Sequence, residues 1–175
     1  MQNPPRKLPQ VTLLIPNDWQ RLQKIRLQAL KLNPEAFGPK YEEELAHDET
    51  TWRKRFIKED YLIASINQID VGILYIEVLK GDHGTTCWIG GCWTDPSYRG
   101  QGVMKALFSY IDENCESKGW QRQGLGVWTH NLAAIKTYEA LGFLVAGEKM
   151  PSTNYPGQYF QHMVRDCSQV IGLKN

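Results

Sequence analysis

The segment Thr94-Asp95-Pro96-Ser97-Tyr98-Arg99-Gly100-Gln101-Gly102-Val103-Met104-Lys105-Ala106-Leu107 sets an arginine and two glycines between an apolar, β-branched run and a helical one. Such a turn is an anion site in physical terms. Small residues let consecutive backbone N–H groups converge on a phosphate oxygen, and the dipole of the following helix adds positive potential. Arg99 and Lys105 could add side-chain charge. A bare Arg-Gly-x-Gly is weakly specific, because many strand–helix turns are rich in glycine for steric reasons alone. Neither a Walker A loop nor a dinucleotide fingerprint fits, since Gly-Lys-Ser/Thr is absent and the G-x-G-x-x-G spacing is not met.

About thirty residues on stands Asn131-Leu132-Ala133-Ala134-Ile135-Lys136-Thr137-Tyr138-Glu139-Ala140-Leu141-Gly142-Phe143. Asn131 and Tyr138 are seven positions apart, close to two helical turns, and so share a helix face. By itself Asn131 reads as an N-cap, Gly142 as the residue that ends the helix, and Tyr138 as a half-buried aromatic. Between the two segments a short strand ends in Val127-Trp128-Thr129-His130.

Outward from these segments the chain alternates in period. Residues 11–15 are apolar and β-branched, as a first strand requires. Trp19, Leu22, Ile25, Ala29 and Leu30 then recur at helical spacing until Asn33-Pro34. A second helix is expected over residues 41–57, acidic at its start (Glu42, Glu43, Glu44) and basic at its end, as the helix dipole favours. Strands follow at residues 61–66, 71–79 and 85–94. Gly90-Gly91 inside the last of these weakens it unless it bulges or another molecule approaches the backbone. Further elements are a helix over 102–118, a strand over 125–129, a helix over 131–141, and strands over 143–145 and 159–164. This order predicts an α/β (α+β) domain with a mixed sheet flanked by about four helices. A single domain over residues 1–175 is expected, with 1–9 expected as a flexible tail.

Composition narrows the partners. With 20 Lys+Arg against 19 Asp+Glu the net charge is +1, which argues against a polyanion held by bulk charge and so against nucleic acid or an acidic membrane. No uncharged apolar run approaches the roughly 20 residues of a bilayer crossing, and the first ten residues lack the apolar stretch of a secretory signal. The expected location is cytoplasmic. The four cysteines, Cys87, Cys92, Cys115 and Cys167, suit reduced thiols better than a disulfide framework. His83, Cys87 and Cys92 lack the paired spacing of a metal site, and no metal is expected.

The two segments together resemble the GNAT superfamily of N-acyltransferases. In that family a strand ending V-x-P leads into Gln/Arg-x-x-Gly-x-Gly/Ala at a helix start, and Asn-x-x-Ala-x-x-x-Tyr-x-x-x-Gly-Phe follows. Thr94, Pro96, Arg99 and Gly102 fit the first pattern; Asn131, Ala134, Tyr138, Gly142 and Phe143 fit the second. The resemblance covers residues 88–146 and implies a central sheet splayed open between the strands ending near Thr94 and Thr129. Acetyl-CoA, as cosubstrate, would lie in the gap. Its pantetheine arm would run along Cys92, Trp93 and Thr94, and its pyrophosphate would rest on the turn formed by Arg99, Gly100, Gln101, Gly102, Val103, Met104 and Lys105, with Asn131 opposite. Two positions depart from the family. Met104 stands where Gly or Ala is usual, and is expected to bury its side chain and leave its amide available. Counted back from Arg99, the glutamate many relatives carry falls at Thr86, so no side-chain base is assigned.

The implied chemistry is direct acetyl transfer from the thioester to a primary amine, with Tyr138 protonating the departing thiolate and a backbone N–H near Trp93 meeting the oxyanion. An alkylammonium, with a pKa near roughly 10, must first lose a proton to water, to His130 or through desolvation. The first two helices and the 150–157 loop would line the acceptor side. There Glu42 to Glu44 could draw a cationic amine, and Trp93, Trp128 or Tyr155 could pack its apolar part. The acceptor, small molecule or protein amine, is not legible, and a homodimer stays open. Two rivals remain: a coenzyme A-binding module without catalysis, and a phosphate- or nucleic-acid-binding domain using the Arg99 turn.

Overall fold

The computed structural model describes residues 7–167, so positions 1–6 of the expected tail lie outside the described residues. Seven strands form one sheet in the order β1-β2-β3-β4-β5-β7-β6. They are β1 (Gln10–Leu13), β2 (Glu59–Ile66), β3 (Ile69–Val78), β4 (Cys87–Thr94), β5 (Arg122–Trp128), β6 (Leu144–Pro151) and β7 (Tyr159–Asp166). Five helices accompany them: α1 (Trp19–Leu32), α2 (Tyr41–Leu45), α3 (Glu49–Lys54), α4 (Val103–Lys118) and α5 (Leu132–Ala140). All neighbouring strands run antiparallel except β4 and β5.

The period-two alternation of the central strands builds a core on each face of the sheet. Leu62, Ala64 and Ile66 of β2, with Leu74 and Ile76 of β3, face Leu107, Phe108 and Ile111 of α4. Tyr61, Ile63 and Ile73 face the other way, against Leu22, Ile25 and Ala29 of α1 and Trp52 of α3. Each fully buried side chain of this kind contributes about 1.5–3 kcal/mol, which is why both helix layers stay docked.

Several elements differ from expectation, each for a physical reason. The second helix breaks in two because Asp48 caps α3, its carboxylate accepting from Thr51 N at 2.8 Å and Thr51 Oγ1 at 2.7 Å. That gives five helices, counting both halves. β5 starts earlier than its polar Arg122-Gln123-Gly124 suggests, because Gln123 finds buried partners: Arg165 Nε donates to it at 2.7 Å, and it donates to Trp120 O at 3.1 Å. Arg165 also donates to Asp112 at 2.7 Å and Leu141 O at 2.9 Å, so each of its three nitrogens has an acceptor inside the protein. β6 runs on to Pro151 through an irregularity between Ala146 and Met150, where Gln161 Nε2 donates to the carbonyls of Ala146 and Gly147 at 3.1 and 3.0 Å.

The cysteine expectation is corrected for one pair. Cys115, on the inward face of α4, is bridged to Cys167 just past β7, 52 residues away in sequence. Only the packing of α4 against the β5–β7 half brings their Cα atoms to 6.5 Å, within bridging range. Cys87 and Cys92 are free thiols. Among the described residues no helix is long and apolar enough to cross a membrane.

Candidate active site

The parallel strands β4 and β5 pair only at Cys87 with Gln123 and Trp88 with Gly124, then diverge. Into the divergence opens a cavity of about 340 Å³, walled by Gly91 and Cys92 of β4, Gly126, Val127 and Trp128 of β5, and Asn131, Ala134 and Tyr138 of the α5 segment. Arg26, Phe37, Gly38, Pro39, Tyr75 and Phe160 close its other side.

β4 bulges at this point. Leu74 of β3 faces both Gly91 and Cys92, because the pairing steps from Ile73–Trp93 directly to Tyr75–Gly90. Gly91 takes φ +61°, a left-handed conformation that a side chain would strain. Gly90 is needed for a second reason, since a Cβ there would collide with the ring of Tyr75. The paired glycines thus turn the backbone at Gly91–Cys92 out of its ladder and toward the cavity.

Tyr138 enters from α5 and meets the Cys92 thiol. Burial raises the phenol well above its ordinary range, and the adjacent thiol raises it further, so Tyr138 keeps its proton across neutral pH. Burial likewise pushes Cys92 up to about 11 and Cys87 up to about 12, which leaves neither as an activated nucleophile. Asn131 caps α5, its Oδ1 accepting from Ala134 N at 3.2 Å.

The turn before α4 is built for backbone exposure. Gly100 and Gly102 have φ of +73° and +79° with open space where a Cβ would stand, so their role is conformational. Among the described residues the amides of residues 100–105 donate to no acceptor. Arg99 folds back from this turn: Nη2 donates to Asn33 Oδ1 at 3.2 Å and Nε to Thr94 O at 3.4 Å. Gln101 Nε2 donates to Ser97 O at 3.4 Å. Val103 is buried in the α4-side core and the Met104 side chain packs partly against it, while Lys105 is exposed.

Other expected site residues fall elsewhere. The Trp93 side chain is buried on the α1 side and donates to Asn33 Oδ1 at 3.0 Å, so only its backbone faces the splay. His130 is exposed, stacked on Trp128, and does not line the cavity. Thr86 precedes β4 and bonds Gly119 O at 3.0 Å; five residues of strand, roughly 17 Å, separate it from the bulge. Glu44 is 4% exposed and lies between Arg26 Nε at 3.5 Å and Arg55 Nη1 at 3.3 Å, so it has no free charge to offer an amine. Tyr155 does reach the acceptor side, donating to Gly38 O at 3.0 Å and packing edge-on to Trp128.

Arg26, Tyr75 and Phe160 were not anticipated. For Arg26 a signal existed: Leu22, Ile25, Arg26 and Ala29 follow the i, i+3, i+4, i+7 pattern, which puts a charge in the apolar stripe of α1. Tyr75 and Phe160 are aromatic strand residues with nothing local to mark them. Among the described residues no group of three or more His, Cys, Asp or Glu side chains gathers as a metal would need.

Solved structures share this architecture. A GNAT superfamily phosphinothricin acetyltransferase from Sinorhizobium meliloti, in complex with acetyl-CoA, is 20% identical with a TM-score of 0.70, over 92% of this chain and 89% of that one. An N-acetyltransferase from Staphylococcus aureus Mu50 is 18% identical with a TM-score of 0.65, over 92% and 99%. RimL, a ribosomal L7/L12 alpha-N-protein acetyltransferase in complex with coenzyme A, is 14% identical with a TM-score of 0.71, over 95% and 98%. No curated protein matches the sequence. The acetyltransferase (GNAT) family profile matches residues 22–143, which include the splayed strands, the glycine turn and α5, and the chain belongs to that family.

Proposed function

We propose that the protein is an acetyl-CoA-dependent N-acetyltransferase that moves the acetyl group directly to a primary amine. The observation that carries the reading is the Gly91–Cys92 bulge at the divergence of β4 and β5, with Tyr138 of α5 against the Cys92 thiol beside the cavity. The free amides of residues 100–105 suit the pyrophosphate, with the dipole of the sixteen-residue α4 behind them. Met104 does not obstruct them, because its side chain packs toward the core. The backbone of residues 92–94 suits the pantetheine arm, and Asn131 flanks it from the opposite wall.

In this reading a backbone N–H at the bulge meets the carbonyl oxygen as it gains charge, and Tyr138 donates to the departing sulfur. Among the described residues no carboxylate lines the cavity, so the ammonium yields its proton to solvent as it enters the apolar wall. A cytoplasmic site of action, where acetyl-CoA is supplied, fits this reaction.

The test is thermal stabilisation by acetyl-CoA against coenzyme A and ATP, followed by thiol release over an amine panel. Saturation near a hundred times Kd stabilises by about 2.7 kcal/mol, which is several degrees for a chain of this size. No shift with acetyl-CoA overturns the assignment. A shift without thiol release from any amine selects the non-catalytic binding module instead.

A further inference from the structure

Among the described residues the acceptor wall of the cavity carries one charged side chain, Arg26, and no carboxylate. Arg26 is 7% exposed, yet its donors are not spent inside the protein. Nε lies 3.5 Å from Glu44, and the guanidinium stacks on Phe37 at 4.9 Å. Among the described residues nothing accepts a hydrogen bond from Nη1 or Nη2. Glu44 is shared, since Arg55 Nη1 reaches both its oxygens at 3.3 Å. Glu59, also near this cluster, accepts from the Tyr61 hydroxyl and does not line the cavity. The open donors face the cavity rather than sealed protein, and a planar fork of N–H groups matches a carboxylate in two parallel bonds. The contrast with Arg165, each of whose three nitrogens donates to a protein acceptor, marks Arg26 as the unfinished one.

Its position adds a distance. A Cβ built on Gly91 would stand 3.0 Å from Arg26 Nη1, so the guanidinium sits beside the bulge at which the amine must arrive. An α-amino acid holds its nitrogen on the carbon next to its carboxylate. A carboxylate on Arg26 therefore delivers the amine to Gly91–Cys92, and the side chain is left to Phe37, Trp128 and Phe160. A polyamine, aminoglycoside or lysine side chain would bring a cation to a cation with no opposing charge on the wall.

We infer that the acceptor is a small carboxylate-bearing amine, an α-amino acid with an apolar side chain, whose carboxylate is held by Arg26. This rests on the acetyltransferase reading above. The amine nitrogen bonds the acetyl carbon as the carbon–sulfur bond breaks, giving an N-acetyl amino acid and coenzyme A. Of the two ammonium protons lost, one goes to solvent before attack and the other balances the proton that Tyr138 passes to the sulfur.

The experiment measures thiol release and acetylated product for free leucine, methionine and phenylalanine, for their primary amides, and for spermidine. The free acids are expected to exceed amides and spermidine in kcat/KM by at least about tenfold, the worth of a charged hydrogen-bonded pair. Arg26→Gln should raise the acceptor KM by a similar factor and bring the acid-to-amide ratio near one, with the acetyl-CoA thermal shift retained as proof of folding. Because Arg26 also pairs with Glu44, the acid–amide comparison on the unaltered protein tests the assignment without the variant. Amides or spermidine used as well as the acids overturn this inference alone. So does an Arg26→Gln variant that keeps both its acetyl-CoA shift and its acid preference. No transfer to any amine overturns the acetyltransferase reading with it.

Discussion

The cofactor side and the acceptor side of the site are made from different materials. The side assigned to the cofactor is backbone: three left-handed glycines, a run of amides that donate to no described acceptor and a bulge, all within residues 90–105. The wall facing the acceptor is side chain: Arg26 from α1, Phe37 from the loop after it, Tyr75 from β3, Trp128 from β5 and Phe160 from β7. A backbone wall reads charge and shape that every acyl-CoA presents, and it tolerates side-chain change wherever the dihedrals are kept. A side-chain wall from five separate segments can vary one residue at a time, which is the physical basis for one fold serving many amines. Tyr138 stands at the seam between them.

Five experiments can break or sharpen that contrast. At the seam, Tyr138→Phe should lower kcat by about a hundredfold or more, as loss of a general acid does, and leave acetyl-CoA affinity unchanged. Unchanged turnover removes Tyr138 from the mechanism. The same residue sets a pH expectation. Because its pKa is raised above the ordinary 10, activity should climb as the amine deprotonates and show no descending limb through pH 9. A fall between pH 7 and 9 would contradict the protonated phenol.

On the backbone wall, Gly102→Val forces a β-branched residue to φ +79°, at about 1–2 kcal/mol, and should weaken acetyl-CoA by about tenfold while leaving the acceptor KM near its original value. Equal loss of both affinities would mean that the walls are not separable. On the side-chain wall, Phe37→Ala should do the converse, raising the acceptor KM severalfold with the acetyl-CoA shift intact, since it removes the ring beneath Arg26. The smallest effect belongs to Met104→Ala. Acetyl-CoA affinity should stay within about twofold, because the amide and not the side chain faces the turn, and the cost should appear as about 1 kcal/mol of stability.

How much of this was legible follows the same division. The glycine turn, the α5 segment and the bulge near Gly90-Gly91 were readable because each is a local demand of the backbone on a residue type. The break between α2 and α3 was written in Asp48 and Thr51 but masked by a continuous helical pattern on either side. The start of β5 was hidden because Gln123 and Arg165 are polar residues that satisfy each other only after β5 and β7 pair. Glu44 looked like an exposed acidic helix start and is instead a buried counter-ion, since nothing local tells a carboxylate that two guanidiniums will fold over it.

From its sequence alone the chain determined that it would build an anion-binding turn at the head of a helix, a strand opened by paired glycines and a tyrosine two helical turns from its capping asparagine. Those features depend on dihedral angles and helical period, which neighbouring residues set among themselves. Tertiary structure alone decided which thiols would meet, that Glu44 would be neutralised, and that Arg26 would keep open donors beside the bulge. Such outcomes depend on desolvation and on partners tens of residues away, and no local pattern records them.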